Sequence, residues 1–328
     1  MPSYYETVEP ILSIKNLKKK FIKKGLLSSS KEIIRVADGV SFSINKGETL
    51  VLAGESGSGK TTIARLILRA LEPDSGNIYF DGKEITNQKD DLRKIRMGCQ
   101  MIHQDPYASI NPRMTVLDIV KEPLEIHSIG DKDERNHLAL QALSQVKLEP
   151  SEEIASKYPH MLSGGQRQRV AIARAVVTNP RVIIADEPVS MLDVSVRIGV
   201  LELIKELQER LGISFLYITH DLSTSSYIGH RIAILYLGKI VEIGPINDVI
   251  SSPRHPYTQA LIDSISEPDP QNIQRDRKIR INEPLDIDVY QGCRFRARCP
   301  YAIEKCKQEP ELEEISEKRQ VACFVKIN

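Results

Sequence analysis

The pattern of apolar and polar positions in the first part of the chain predicts strands that lead into a helix. Apolar and polar residues alternate from Ile11 to Phe21, and a second apolar stretch runs from Ile33 to Ile44, so two strands are expected there. Residues 49–53 form a continuous apolar run, which predicts a short buried strand, and helical spacing follows from Thr62 to Leu71. A turn at residues 45–47 separates the second strand from the third.

Along the rest of the chain the residue pattern changes first to helical spacing and later to a proline- and cysteine-rich composition. Residues from about 106 to 178 show mostly helical spacing, and buried-strand patterns return at 182–185 and 214–219, so the fold class is α/β. Beyond about residue 250 prolines cluster and four of the five cysteines lie in the last 36 residues. We therefore expect one domain over residues 10–250 and a C-terminal extension over 251–328, with a charged linker across 266–283.

Composition and charge exclude several classes of protein. The 45 Lys and Arg residues nearly balance the 44 Asp and Glu residues, so no overall field favours nucleic acid or an anionic membrane. No run of about 18 apolar residues is present, and the N-terminus lacks the basic-then-apolar order of a signal peptide. We expect a cytosolic protein, in which cysteines are poor candidates for disulfides and better candidates for metal ligands.

Residues 54–62, GESGSGKTT, carry the strongest chemical signal. They fit the pattern G-x-x-x-x-G-K-[ST] and lie between a predicted strand and a predicted helix. Glycines let the backbone N–H groups surround a phosphate at a helix N-terminus, the lysine adds a positive charge, and the threonine hydroxyl suits Mg²⁺. The predicted ATP ligands are Gly54, Glu55, Ser56, Gly57, Ser58, Gly59, Lys60, Thr61 and Thr62.

Two acids follow the apolar run 182–185, at the end of a predicted buried strand. Open α/β sheets place their sites at the carboxyl ends of strands. Asp186 is therefore a candidate for the Mg²⁺ shell together with Thr61, and Glu187 for the base that polarises the attacking water.

A second anion-binding device is predicted at residues 162–166, LSGGQ. Ser163 is a good N-cap for the helical pattern that follows, so the helix start would favour an anion. One P-loop already holds the phosphates of one nucleotide, so a second device suggests a head-to-tail dimer. This motif stands about 100 residues after Lys60 and about 20 before the acid pair, and it resembles the signature of ABC ATPases.

That resemblance implies a fold and a set of roles. The fold is a P-loop NTPase core of ABC type, with an N-terminal antiparallel β subdomain, a helical subdomain over about 106–178 that carries the signature, and a small Cys-rich C-terminal extension. Gln104, in MIHQDP, matches the glutamine that reaches Mg²⁺ and the attacking water, and His220 matches the histidine that contacts the γ-phosphate. Asp193 matches an aspartate at the dimer interface, and Phe21 is the first choice for stacking on adenine, with Tyr4 and Tyr5 as alternatives. The signature residues assigned to ATP are Ser163, Gly164, Gly165 and Gln166.

Three further segments resemble the ATPases of dipeptide and oligopeptide importers, namely EPVSMLDVS, RHPYTQALIDSI and GCRFRARCPYAIEKC. This resemblance implies two transmembrane permease subunits, a paralogous ATPase or a second copy as partner, and an extracellular solute-binding protein that acts indirectly. The ATPase would lie peripherally on the cytoplasmic face of the membrane. Relatives that carry nickel or oligosaccharides keep the substrate open. A non-transport ABC ATPase or an inactive regulatory subunit is disfavoured by the single core and by the intact Lys60, Ser163, Glu187 and His220.

The last four cysteines form a separate candidate site. Cys293, Cys299, Cys306 and Cys323 follow C-x5-C-x6-C-x16-C, without the closely spaced pairs that are typical of zinc sites. Four loosely spaced thiolates suit a [4Fe–4S] cluster better, and the resemblance implies one in this region. A zinc site and four free thiols remain alternatives.

Overall fold

Two β-sheets organise the computed structural model, which describes residues 9–24, 31–86, 92–264 and 290–325. The strands are β1 (Leu12–Lys24), β2 (Lys31–Ile44), β3 (Thr49–Ala53), β4 (Ser75–Phe80), β5 (Lys83–Glu84), β6 (Cys99–Ile102), β7 (Val182–Asp186), β8 (Ser214–Thr219), β9 (Arg231–Tyr236), β10 (Lys239–Pro245), β11 (Glu313–Ser316) and β12 (Arg319–Val321). An antiparallel sheet has the order β2-β1-β4-β5, and a larger sheet has the order β11-β12-β10-β9-β3-β8-β7-β6. The strands predicted at 49–53 and 214–219 are confirmed with the same bounds.

Helices cover the larger sheet and fill the middle of the chain. They are α1 (Lys60–Ile67), α2 (Leu92–Gly98), α3 (Pro106–Ser109), α4 (Val116–His127), α5 (Lys132–Gln145), α6 (Ser151–Ala155), α7 (Gly164–Val176), α8 (Val194–Leu211), α9 (Leu222–Ile228), α10 (Ile246–Ser251) and α11 (Pro256–Asp263). From α3 to α7, within the continuously described stretch 92–264, the chain forms helices and turns without a strand. No helix in the described ranges combines the length and apolarity needed to cross a bilayer.

Four of the five parallel strands of the larger sheet (β3, β7, β8 and β9) are buried on both faces, whereas β6 at the sheet edge is only partly buried. In β3, Val51 and Ala53 face one core, which also contains residues of α4, α5, α7 and α8. Leu50 and Leu52 face the other core, which contains α1 and residues of the antiparallel sheet. Burial on both faces explains why these strands read as continuous apolar runs rather than as alternating patterns.

The C-terminal residues share this sheet and its core. β12 pairs antiparallel with β10, and β11 pairs with β12, so the hairpin extends the sheet at its edge. Arg319 in β12 donates to the buried Glu242 in β10 at 2.6 Å, and Phe295 belongs to the same core cluster as Val51. The residues predicted as an extension after 250 are therefore continuous with the main sheet. The predicted linker over 266–283 lies outside the described residues.

Candidate nucleotide site

The P-loop connects the central strand β3 to α1. β3 lies between β8 and β9, parallel to both, and α1 begins at Lys60. Gly59 has φ 111°, and a Cβ there would lie 2.1 Å from the carbonyl oxygen of Val36. Only glycine fits that backbone conformation so close to another strand. The predicted strand, glycine loop and helix are thus present in the order that a phosphate site needs.

Lys60 is almost completely buried inside this loop. Its Nζ donates to the carbonyl oxygens of Gly54 at 2.8 Å and Glu55 at 2.9 Å. Burial lowers the pKa of Lys60, while the nearby carboxylates of Glu187 and Asp186 act in the opposite direction. The loop therefore holds the ammonium group next to two acids, at the start of a helix whose N-terminus favours anions.

Asp186 stands at the end of β7 and is buried. Burial raises its pKa, and a hydrogen bond from the Thr61 side chain opposes that shift. A carboxylate and a hydroxyl at one point beside the P-loop are the hard oxygen ligands that Mg²⁺ prefers. Thr61 and Asp186 thus fit the magnesium role that the sequence assigns to them.

Glu187 is held at three points. Its N–H donates to the carbonyl oxygen of Ile218 at 2.9 Å, and its φ of 47° turns the chain away from β7. Oε2 accepts from Gln104 Nε2 at 2.9 Å, and Oε1 lies 2.9 Å from His220 Nδ1. The structure thus brings together the three residues predicted as catalytic, with both carboxylate oxygens of Glu187 engaged.

Most of the predicted P-loop and catalytic residues line one open cleft of about 710 Å³, whereas Gly54, Ser58 and Asp186 are not part of its lining. P-loop residues form one wall, and Gln104, Glu187 and His220 form another. Val36 and Leu261 also line the cleft. Neither residue could be assigned a role from the sequence, because an isolated apolar residue carries no motif.

Comparison with known proteins identifies the family. Residues 37–190 match the ABC transporter family, and residues 241–306 match the oligopeptide/dipeptide transporter C-terminal region. The oligopeptide transport ATP-binding protein AppF of Bacillus subtilis is 44% identical over 97% of this chain and 98% of its own length. The dipeptide transport ATP-binding protein DppF of Haemophilus influenzae is 41% identical over 96% of each.

The chain belongs to the ABC transporter ATPases. This confirms the resemblance inferred from the motifs.

Solved structures show the same cassette fold. The dimeric, post-hydrolysis structure of the ATP-binding cassette MJ0796 bound to ADP and Pi has a TM-score of 0.63 and 34% identity, over 72% of this chain and 98% of that one. CbiO1 from Clostridium perfringens, part of the ABC transporter complex cbiONQ, has a TM-score of 0.64 and 27% identity, over 74% and 91%.

In this ABC ATPase the LSGGQ segment begins α7, away from the cleft. Ser163 Oγ accepts from Gln166 N at 3.3 Å, and Gln166 Oε1 accepts from Ser163 N at 3.0 Å, which is a capping box. Residues 163–166 are absent from the lining of the cleft of the same chain, although all of them are described. The structure therefore does not bring the two predicted anion sites together within one chain.

Asp193 lies beside that helix start. It occupies the N-cap position of α8, its side chain makes no capping hydrogen bond, and it is exposed. A Cβ on Gly165 would lie 2.5 Å from the Val196 side chain in the first turn of α8. The segment that carries Asp193 thus packs against the LSGGQ segment of its own chain.

Phe21, the predicted adenine ligand, lies on the antiparallel sheet. It pairs with Ile34 across β1 and β2, its side chain is 40% exposed, and Lys19 Nζ lies 5.9 Å from the centre of its ring. It does not line the cleft. Its adenine role therefore stays a prediction, and Tyr4 and Tyr5 lie outside the described residues.

The four C-terminal cysteines surround one small cavity. Burial raises the pKa of Cys293 to about 12 and that of Cys299 to about 11. Cys306 is buried, and Cys323 is half-buried. Among the described residues, no three His, Cys, Asp or Glu side chains form a group that could hold a metal ion. The four thiols thus line one cavity without forming a metal-binding group, and the iron–sulfur cluster stays a prediction.

Proposed function

We propose that this chain is the ATP-hydrolysing subunit of a membrane ABC importer for dipeptides and oligopeptides. The observation that supports ATPase activity is the position of Glu187. It lines the P-loop cleft, and its carboxylate is hydrogen-bonded to Gln104 and His220. The peptide substrate is supported by the relatives, which are oligopeptide and dipeptide transport ATP-binding proteins, and by the match to the oligopeptide/dipeptide C-terminal region.

The chain's own residues divide the work of hydrolysis. Lys60 and the P-loop N–H groups bind the phosphates, while Glu187 accepts a proton from the attacking water. Gln104 and His220 orient the Glu187 carboxylate. Thr61, Asp186 and Gln104 would hold Mg²⁺, which when bound neutralises phosphate charge.

Membrane assembly tests the transport function. We expect the chain to co-purify from membranes with two transmembrane permease subunits, which mass spectrometry would identify. Peptide uptake by vesicles that contain the complex should stop when Lys60→Ala replaces the wild-type chain. Uptake of nickel or an oligosaccharide, with none of peptides, would change the substrate but keep the ATPase. A purified chain that never associates with permeases would favour a non-transport ABC ATPase.

The composite ATP site is a second part of this proposal. Since Ser163, Gly164 and Gly165 do not line their own chain's cleft, we propose that they complete the cleft of a partner, either a paralogous ATPase or a second copy. MJ0796, which is 34% identical, was solved as a dimer with ADP and Pi. Asp193 would then lie at the interface.

Mixing two defective chains tests the composite site if the protein forms homodimers. A Lys60→Ala chain and a Ser163→Arg chain should each be inactive alone. Their mixed dimer contains one intact composite site, so some ATPase activity should return. If each chain hydrolyses ATP independently of the other's Ser163, the composite site is wrong.

The third part of the proposed function concerns the four C-terminal cysteines. We propose that Cys293, Cys299, Cys306 and Cys323 hold a [4Fe–4S] cluster, because four thiols gather at one cavity and thiolates are soft ligands. Anaerobically purified protein should then contain about four irons and four sulfides per chain. Cys99→Ser is the matched control, since Cys99 lies in β6 and should leave the iron content unchanged. One zinc without iron would indicate a structural zinc site, and no metal would leave four free thiols.

A further inference from the structure

We propose that Tyr257 and Arg298, two residues of the C-terminal region, are positioning residues for the P-loop and act on nucleotide binding through Glu55. The inference rests on the proposed nucleotide site and adds to it a role for the RHPYT segment and for the cysteine-rich segment. Three observations carry it: a buried hydroxyl that holds the P-loop backbone, an ion pair with the P-loop side chain, and the contact of the same residue with Lys60.

Hydrogen bonds tie the RHPYT segment, which carries Tyr257, to the main sheet and to the start of α11. Glu242 accepts from the backbone N–H of Arg254 at 3.1 Å and of His255 at 3.0 Å. His255 Nδ1 accepts from Tyr257 N at 3.0 Å, and Pro256 begins α11. Each residue of the segment up to Tyr257 is therefore tied to β10 or to the helix start.

Tyr257 reaches the P-loop from this fixed base. Its side chain is 1% exposed, and its ring centre lies 4.4 Å from that of Tyr236 and 5.5 Å from that of Phe295. Its Oη accepts from the backbone N–H of Glu55 at 2.9 Å. A buried, packed ring thus holds the second residue of the P-loop by its main chain.

Arg298 holds the side chain of the same residue. Its Nη1 lies 3.2 Å from Oε2 of Glu55 and 3.4 Å from the hydroxyl of Tyr236. Arg298 directly precedes Cys299 in the cysteine-rich segment, and Phe295 of that segment packs on Tyr257. The segment 293–299 therefore contacts the P-loop through Arg298, while its cysteines line the cysteine cavity.

Glu55 transmits these contacts to the phosphate site. Its carbonyl oxygen accepts from Lys60 Nζ at 2.9 Å, while its N–H and carboxylate are held by Tyr257 and Arg298. Glu55 also lines the cleft, where an uncompensated carboxylate would repel a triphosphate. Arg298 offsets that charge. Tyr257 holds the peptide group between Gly54 and Glu55, whose carbonyl oxygen accepts from Lys60 Nζ.

Equilibrium binding of a fluorescent ATP analogue with Mg²⁺ tests Arg298. Arg298→Ala should raise the Kd about three- to fivefold, the size expected for one partly exposed ion pair. Because binding is lost equally in the ground state and the transition state, KM for ATP should rise while kcat stays within about twofold. Lys307→Ala, which removes an exposed pair with Glu304 in the same region, is the matched control and should leave the Kd unchanged.

A double-mutant cycle separates action through Glu55 from general loosening. In a Glu55→Gln background, Arg298→Ala should change the Kd by less than about 1.5-fold, because the charge that Arg298 offsets is gone. Arg298→Lys should restore most of the affinity. Equal effects of Arg298→Ala in both backgrounds would overturn the positioning role.

Tyr257→Phe tests the backbone contact and keeps the ring packing. Leaving the Glu55 N–H without its acceptor should raise the Kd about tenfold, and should reduce the increase in Tm on adding nucleotide more than it reduces the nucleotide-free Tm. Wild-type affinity in both Tyr257→Phe and Arg298→Ala would overturn this inference alone. A wild-type chain that binds no nucleotide would instead overturn the proposed function.

Discussion

The nucleotide cleft and the C-terminal cysteine-rich region are assembled from contacts of different kinds. In the cleft, Lys60 and Glu187 follow β3 and β7, two parallel strands separated only by β8, so the sheet brings the strand ends together. The C-terminal region, besides the pairing of β12 with β10 and the packing of Phe295, is attached by ion pairs between residues far apart in sequence: Arg294 with Asp38, Arg298 with Glu55, and Arg319 with Glu242. Motifs encode the first arrangement, whereas only the folded chain reveals the second.

Glu187→Gln should give the largest effect, a loss of turnover that is confined to the cleft. Removing the base should lower kcat roughly 10²–10⁴-fold, because general-base catalysis contributes about that much. ATP binding should persist, since the amide keeps the size of the side chain and the P-loop is untouched. Single-turnover hydrolysis together with nucleotide binding measures both. His220→Ala is the comparison: turnover of Glu187→Gln within about threefold of wild type would move the base role to His220.

Arg319→Met tests whether the C-terminal hairpin belongs to the cooperative fold. Arg319 and Glu242 are almost completely buried, so removing one partner leaves a buried charge uncompensated. The free energy of unfolding should fall by about 3–5 kcal/mol. Urea denaturation, followed by the fluorescence of the tyrosines and by circular dichroism, would measure it.

Two further variants make the Arg319 test specific. Adding Glu242→Gln to Arg319→Met should recover part of the loss, because the side chain is then neutral and an amide oxygen in the place of Oε2 still accepts from the backbone N–H groups of Arg254 and His255. Lys307→Met, which removes the exposed pair with Glu304, should cost less than about 0.5 kcal/mol. A loss below about 1 kcal/mol for Arg319→Met would mean that the hairpin unfolds independently of the core.

What could be predicted from sequence follows the same division. β3 and β8 were predicted with their observed bounds because both faces are buried and the apolar run is continuous. The roles of Lys60, Glu187 and Ser163 rest on local motifs. β11 was not predicted: its residues, EEIS, are all exposed and it is held by backbone pairing alone with β12. The contact between Arg298 and Glu55 spans 243 residues, and neither residue type signals the other.

Cys306→Ser should give a smaller effect that stays within the C-terminal region. Replacing a buried thiol by a hydroxyl should cost about 1–2 kcal/mol. Hydrogen exchange should increase in the cysteine-rich residues 290–308, while α1, β3 and the β11–β12 hairpin keep their protection, because the hairpin is paired with the main sheet. ATP affinity should fall no further than in Arg298→Ala.

Cys99→Ser is the control for the Cys306 prediction. Cys99 is equally buried but lies in β6 of the main sheet. It should lower stability by a similar amount without increasing exchange in residues 290–325. If Cys306→Ser increased exchange equally in α1 and in residues 290–308, the cysteine-rich segment would open only together with the core, and its effect would not be local.

Asp118→Asn should give the smallest effect, from a contact that spans only three residues. Thr115 is the N-cap of α4; its Oγ1 donates to Asp118 Oδ2 at 2.7 Å and accepts from Asp118 N at 3.2 Å. The hydrogen bond from Thr115, together with Lys121, lowers the pKa of Asp118. A folded pKa below the unfolded one means that this stabilisation is present above the ordinary carboxyl pKa of about 3.8 and is lost as the pH falls through the folded value.

Urea denaturation at pH 7 and at pH 3.5 would measure that difference. Asp118→Asn should cost about 0.5 kcal/mol at pH 7, in the range of a helix-terminal charge, and less at pH 3.5, where the wild-type carboxylate begins to protonate. Thr115→Val removes the same hydrogen bond from the other side, so it should show a loss at pH 7 as well. A cost of Asp118→Asn that is the same at both pH values would assign the effect to packing rather than to charge. The contact between Thr115 and Asp118 spans three residues, so the spacing Thr-x-x-Asp is visible in the sequence. The buried contact between Arg319 and Glu242 spans 77 residues, and only the fold brings those two side chains together.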